Sequence, residues 1–143
     1  MLTKATEYDV DFIDLLEQSL FSSDVRVDRK QILKSMENKK HTILVYQEFG
    51  KKIGYVHYVT NEKTIRLYVI AVHKKFQHRG YGSKMLEYVI EVSKSLQKPI
   101  SLEVDADKGW LVSFYQNYDF KVKEILPDYY GEDTTCFRMI RKV

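Results

Sequence analysis

The stretch Ile70-Ala71-Val72-His73-Lys74-Lys75-Phe76-Gln77-His78-Arg79-Gly80-Tyr81-Gly82-Ser83-Lys84-Met85-Leu86 passes from an apolar strand, through a basic loop with two glycines, into an amphipathic helix. Gly80 and Gly82 remove side chains where the backbone must turn, so consecutive N–H groups can converge on one ligand. The helix that follows adds its unsatisfied N–H groups and the positive end of its dipole. Lys74, Lys75, His78, Arg79 and Lys84 crowd round the same loop. The pattern predicts a site for a phosphate or pyrophosphate, and a tight strand-to-helix turn without a ligand is the plainer alternative for the loop taken alone.

Spacing separates the phosphate-loop classes. A dinucleotide fingerprint would need glycine where Met85 stands, and a Walker loop ending on Gly82 would need glycine at Gln77 and lysine at Ser83. What remains is Gln77-x-x-Gly80-x-Gly82, which resembles the acyl-CoA loop of the GCN5-related N-acetyltransferases (GNAT). Lys74 stands where that family often has proline, a change that only affects the stiffness of the loop. Further along, Leu102-Glu103-Val104, Ser113-Phe114-Tyr115 and Tyr118-Asp119-Phe120 look like the family's L-E-V, L/F-Y and G-F segments. Asp119 replaces the usual glycine. Lys108 stands about where an asparagine often contacts the pantetheine arm.

The chain has 143 residues, 44% hydrophobic and 30% charged, with two prolines and six glycines. That is enough for one ordinary domain with its own core, and a single domain over 1–143 is expected. No apolar run approaches the roughly 20 residues of a membrane helix, and Met1 to Glu7 lacks a secretory signal's apolar segment. One cysteine, Cys136, permits no internal disulfide. A cytoplasmic protein is the expectation. His41, His57, His73 and His78 form no metal-binding pattern with it, so no metal is expected. A net charge of +3 is too mild to demand nucleic acid.

Along the chain, Leu2 to Ala5 reads as a short first strand. Thr6-Glu7-Tyr8-Asp9 has the form of a capping box ahead of a helix carrying Phe12, Ile13, Leu16 and Leu20, and Asp28 with Gln31 opens a second helix. Three strands follow, over Thr42–Tyr46, Ile53–Thr60 and Thr64–Val72, whose short turns argue for antiparallel pairing. The helix after the glycine loop turns Leu86, Val89, Ile90, Ser93 and Leu96 to one side. Pro99 ends it, and the strand Ile100–Asp105 completes a strand, helix, strand unit suited to a parallel crossover. Asp107 is read as the cap of a fourth helix, with Trp110, Leu111, Phe114, Tyr115 and Tyr118 on one side. Phe120–Leu126 and Thr134–Arg141 are the last strands. The resemblance implies a GNAT-like α/β (α+β) fold, a mixed, mainly antiparallel sheet of about seven strands flanked by about four helices.

The chemistry implied is transfer of an acetyl group from acetyl-CoA to an amine by direct attack in a ternary complex. Ile70, Ala71, Val72, Gln77, His78, Arg79, Gly80, Tyr81, Gly82 and Ser83 would hold coenzyme A. Tyr115 is the candidate general acid, since a phenol of pKa about 10 can protonate a departing thiolate whose thiol has a pKa of about 8.5. Glu103, on the strand face opposite Leu102 and Val104, is the candidate base, with a solvated or salt-bridged strand position as an equal alternative. Cys136 as an acyl-carrying nucleophile lacks a nearby histidine.

Tyr129, Tyr130, Glu132 and Asp133, between the last two strands, resemble the Tyr-Tyr acceptor loop of protein N-terminal and ribosomal-protein acetyltransferases. The partners expected are a peptide or small-molecule amine, with neither nucleic acid nor membrane, and both a monomer and a homodimer stay open. The rival class is a nucleotide-sensing or RNA-binding module built on the basic loop and eleven tyrosines.

Overall fold

A computed structural model describes residues 1–23 and 25–143. Seven strands form one sheet: β1 (Leu2–Lys4), β2 (His41–Glu48), β3 (Lys51–Thr60), β4 (Ile65–Val72), β5 (Ile100–Asp105), β6 (Lys121–Leu126) and β7 (Cys136–Arg141). Their order across the sheet is β1-β2-β3-β4-β5-β7-β6. All neighbours are antiparallel except β4 and β5. Four α-helices, α1 (Val10–Leu20), α2 (Arg29–Met36), α3 (Tyr81–Leu96) and α4 (Gly109–Gln116), flank it. This is the GNAT-like architecture the sequence predicts.

The helix starts follow local chemistry. Thr6 and Asp9 close a capping box around a single 3-10 turn at Glu7–Asp9, so α1 itself starts at Val10, three residues later than the box suggests. Asp28 and Gln31 close a second box on α2. The fourth helix differs from expectation. Lys108, not Asp107, occupies its N-cap, and the Asp107 N–H turns back to Asp105. Trp110 projects into solvent at 72% exposure, because the sheet is met instead by Val112 and Tyr115.

The sheet has two different faces. On one, Met85, Leu86, Val89 and Ile90 of α3 pack over Ile65, Leu67, Ile100, Leu102 and Val104 with Tyr115, Phe120 and Met139. Each fully buried side chain of this kind contributes roughly 1.5–3 kcal/mol, so this layer fixes where α3 begins. Leu96 lies at the exposed end of α3 and takes no part. On the other face, Val10, Ile13 and Leu16 of α1 and Ile32 of α2 cover Ile43, Val45, Tyr55 and Ala71. That cover rests on β2 to β4. Gly54 serves close approach: a Cβ there would collide with the Ala71 carbonyl oxygen of β4.

Under α1 lies a polar pair that the apolar spacing of the helix does not announce. Glu17 is 2% exposed, accepts a hydrogen bond from the Tyr55 hydroxyl and another from the Val27 backbone N–H, and so ties α1 to β3 and to the connection before α2. Burial raises the Glu17 carboxyl above its ordinary range, against the lowering effect of those two bonds. Because the folded state holds the proton more tightly than the unfolded chain, the stability associated with that proton is fully present below the unfolded value. It is lost as pH rises through the folded one. Glu17→Gln should therefore gain on the wild type in thermal stability as pH rises from about 4.5 toward 7. Tyr55→Phe, which strips the carboxylate of its donor, should cost about 1–3 kcal/mol near neutral pH. Melting curves of the three proteins across that range check both, and a pH-independent gap between wild type and Glu17→Gln would refute the assignment.

Candidate active site

β4 and β5 start as hydrogen-bonded neighbours and then part. Their parallel register holds only at Ile65↔Ile100 and Arg66↔Ser101, although β4 runs on to Val72 and β5 to Asp105. β5 stays fully paired with β7 through all six residues, and β4 stays with β3 through a bulge at Tyr68. The result is a wedge between Leu67–Val72 and Leu102–Asp105, open toward the C-terminal ends of both strands. In sheets with parallel neighbours, that end is where ligands enter. The predicted donor residues Ile70, Ala71 and Val72 line its β4 side.

The glycine loop sits at the mouth of this wedge. A 3-10 turn at Lys74–Phe76 leads from β4 to Gln77, whose side chain donates to the Val72 carbonyl at 3.0 Å and so ties the loop to the strand end. His78 and Gly80 both adopt left-handed backbone, at φ 64° and 85°. A left-handed turn leading into a helix aims successive N–H groups into one concavity. A Cβ at Gly80 would meet nothing within 4 Å, and no side chain caps α3, so the first-turn N–H groups of Tyr81, Gly82 and Ser83 have no capping side chain. Among the described residues, Lys74, Lys75, His78, Arg79 and Lys84 enter no salt bridge. Arg79 lies 5.8 Å from the centre of the Phe76 ring and Lys84 5.5 Å from that of Tyr81. The Tyr81 hydroxyl donates to Glu48 at 2.6 Å, anchoring the first residue of α3 to the end of β2. Positive charge, bare backbone donors and missing side chains together suit a pyrophosphate.

Tyr115 projects from α4 on the α3 side of the sheet, against Phe114 and Phe120, and is 8% exposed. Burial alone pushes its phenol well up, with no charge or hydrogen bond contributing. Glu103 points to the other face, as alternation predicts. There its carboxylate meets two guanidiniums that sequence reading passed over. Arg66 Nε lies 3.3 Å from Oε2 and Arg66 Nη2 3.1 Å from Oε1. Arg138 on β7 donates from Nε and Nη2 to Oε1 at 3.3 and 3.2 Å, and from Nη1 to Glu124 on β6 at 3.0 Å. Oε1 is thus saturated, whereas Oε2 keeps room for another donor.

The loop between β6 and β7 belongs to this same face. The Tyr129 hydroxyl accepts from Arg66 Nη2 at 3.1 Å, and the rings of Tyr129 and Tyr130 meet edge to face at 5.0 Å. Burial, with the neighbouring Cys136, Tyr129 and Glu103, pushes Tyr130 up to about 12. Glu132 and Asp133 lie exposed in the loop, and the Asp133 N–H closes it on Asp128 at 2.9 Å. Cys136 is fully buried and its thiol is pushed up to about 11 by burial and the nearby Asp105 and Glu103, which keeps it an unreactive thiol.

Farther along this face, His57 faces His41 across 2.8 Å and packs on Tyr68. Burial, then His41, lowers His57 to about 4, so both rings stay neutral near pH 7. Among the described residues no three histidine, cysteine or acidic side chains gather as a metal site, and no helix is long and apolar enough to cross a membrane.

The geometry is matched by known proteins. A model of the acetyltransferase (GNAT) domain family fits residues 39–122, more than half of the chain. The uncharacterized N-acetyltransferase CgeE of Bacillus subtilis (strain 168) is 32% identical over 63 residues, 44% of this chain and 24% of CgeE, so the match spans about a quarter of that relative. The ribosomal-protein-S18-alanine N-acetyltransferase of Escherichia coli superposes with a TM-score of 0.88 at 18% identity, over 99% of this chain and 92% of that one. Ard1 of Thermoplasma volcanium does so with 0.89 at 22%, over 100% and 97%. At such identities the two structures speak for the fold. With the domain model covering the glycine loop, α3 and the wedge, the chain belongs to the GNAT acetyltransferase family.

Proposed function

We propose that this chain is an N-acetyltransferase that moves an acetyl group from acetyl-CoA to a primary amine, by direct attack in a ternary complex. Members of its family use acetyl-CoA. The observation that carries the reading is the parting of β4 and β5 beside an uncapped helix N-terminus. Acetyl-CoA supplies an acyl thioester, whose carbonyl carbon accepts an amine as sulfur leaves. The N–H groups of Tyr81, Gly82 and Ser83 would hold the pyrophosphate, with Arg79 and its neighbouring cations adding attraction. The edge of β4 from Ile70 to Val72, free of β5, would receive the arm that carries the acyl group and align it. Lys108, at the start of α4, would meet that arm with a cation where the family often has an amide.

The open face then receives the acceptor. Glu103 Oε2 is the carboxylate atom with room to accept from an incoming ammonium, directly or through a water, since the amine attacks only as a neutral base. Tyr129 and Tyr130 would wall the acceptor, with Glu132 and Asp133 at its outer end drawing a cationic amine. A protein N-terminus, a lysine side chain or a small amine fits these features, in a protein resident in the cytoplasm.

Tyr115 would serve the sulfur. Its raised pKa keeps the hydroxyl protonated across neutral pH and disfavours the phenolate, so it acts chiefly as a hydrogen-bond donor to the developing thiolate. Nitrogen gains the acetyl carbon as the C–S bond breaks, one proton reaching sulfur and one leaving with the solvent.

Gly82→Val should weaken acetyl-CoA binding severely in a protein that still folds, because a Cβ at Gly82 touches only Ile70 and Val72 at 4.0 Å while a larger side chain covers the donors. Unchanged affinity by calorimetry would remove the pyrophosphate from this loop. Tyr115→Phe keeps the ring and should lower kcat by roughly 10² to 10⁴, with a smaller loss for a donor with a more acidic thiol. Near-normal kcat where chemistry limits turnover would make Tyr115 a pocket wall only. Replacing Tyr129 and Tyr130 together by alanine should raise the acceptor KM and leave acetyl-CoA affinity unchanged, and a matching loss of donor affinity would contradict an acceptor role.

A further inference from the structure

Arg66 occupies the last rung on which β4 and β5 are joined, two residues before the bulge at Tyr68. From there one guanidinium reaches three elements. Nε and Nη2 face both oxygens of Glu103 on β5 at 3.3 and 3.1 Å, Nη2 also donates to the Tyr129 hydroxyl of the β6–β7 loop at 3.1 Å, and the guanidinium carbon lies 5.2 Å from the centre of the Tyr68 ring. Glu103 is nearly buried, at 8% side-chain exposure, while Arg66 is 37% exposed. Arg138 completes the other side of Glu103 but is directed away, toward Glu124 on the sheet edge.

We propose that Arg66 is a positioning residue for the acceptor half of the site, setting the orientation of Glu103 and the seat of the Tyr129 loop together through one planar fork. The inference rests on the acetyl-transfer reading above and adds a role that none of the predicted site residues holds. Its physical basis is the shape of guanidinium. A planar fork grips a carboxylate with two parallel bonds and still presents an edge to a hydroxyl, whereas the single nitrogen of lysine keeps the charge without holding both partners in fixed directions. The loop has few other ties to the sheet. Its internal bonds join Tyr129 to Thr134, Thr134 to Gly131, Gly131 to Asp128 and Asp133 to Asp128, and its backbone meets the end of β5 where the Ala106 N–H donates to the Thr135 carbonyl at 2.9 Å, so the tie from the Tyr129 side chain to β4 is the one through Arg66. Without the fork, Tyr129 loses its attachment to the strand that lines the wedge, and Glu103 is left to Arg138, which saturates Oε1 only.

Arg66→Lys is the decisive variant because it preserves charge. Steady-state kinetics should show the acceptor KM raised about tenfold, the worth of one or two directed hydrogen bonds, with the acetyl-CoA KM within about twofold of wild type. Tyr129→Phe, which removes only the hydroxyl, should reproduce most of that rise, and the double variant should be little worse than either single one. Additive effects, or an acceptor KM unmoved by Arg66→Lys, would overturn the proposal. A second measurement is independent of turnover. Hydrogen exchange in residues 127–135 should quicken in Arg66→Lys while β2 and β3 keep their protection, and unchanged exchange in that loop would equally overturn it. If the wild type acetylated no amine, the acetyl-transfer reading would fail, and the exchange comparison would still decide whether Arg66 holds the loop.

Discussion

Two strands that pair for two residues and then separate set the terms for everything else in this molecule. A parallel pair normally gains a hydrogen bond for nearly every residue it adds, and an unpaired strand edge is a liability that proteins cover or blunt. Here the edge of β4 beyond Arg66 is left without β5, and the fold compensates on every other side. β3 holds β4 along its opposite edge, Gly54 lets those two backbones approach at Ala71, and α3 packs beneath through Met85, Leu86 and Val89. β5 is held away by its six-residue register with β7. The gap is therefore enforced from outside. The β4 backbone groups left unpaired with β5 there would suit an extended, polar-backboned ligand.

The two faces of the sheet divide the work around that gap. On the α3 side the layer is apolar, and it buries Tyr115 until the phenolate is disfavoured. On the other side a row of alternating charge, Arg66, Glu103, Arg138 and Glu124, runs from β4 across β5 and β7 to β6. Exposed ion pairs contribute little to stability, but here a nearly buried carboxylate sits between two guanidiniums, and removing either leaves charge without its partner. Such a row gives the open half of the face a defined geometry without an apolar cover. On the proposed reading, an acceptor arriving there would meet groups already in place.

Much of this was legible in the sequence where the determinants are local. The glycine loop, the helix after it and the capping boxes at Thr6 and Asp28 depend on residues within one or two turns of each other, and the structure has them where the spacing places them. The face on which Glu103 lies follows from strand alternation alone. Its partners do not, because β7 is inserted between β5 and β6, and a reader of the chain cannot know that Arg138 will stand opposite Glu103. Arg66 was readable only as a polar residue between Ile65 and Leu67. Glu17 was hidden for another reason: it adjoins Leu16 in an amphipathic helix, where an acid is ordinarily solvated, and the donors that make its burial tolerable, the Tyr55 hydroxyl and the Val27 N–H, lie on other elements. Trp110 shows the reverse error, an aromatic at helical spacing that a short helix turns outward.

The contrast between Tyr115 and Glu103 bears on how one site handles two protons. A buried phenol without charged neighbours gives up its proton reluctantly, which on the proposed reading suits it to donate a hydrogen bond to negative charge developing on sulfur. A carboxylate between two guanidiniums is the opposite case, a group whose direction is set by its partners and of which one oxygen retains capacity. Placed on opposite faces of the sheet with the wedge between them, the two groups do not share a proton or neutralise each other. The Glu103 environment is built from residues far apart in sequence, Arg66 and Arg138, whereas Phe120 beside Tyr115 follows it in the same turn of chain. The separation of the strands thus does more than make room for a ligand. On the proposed reading it leaves the Tyr115 phenol and the Glu103 carboxylate on opposite sides of the line on which an acyl group and an amine would meet.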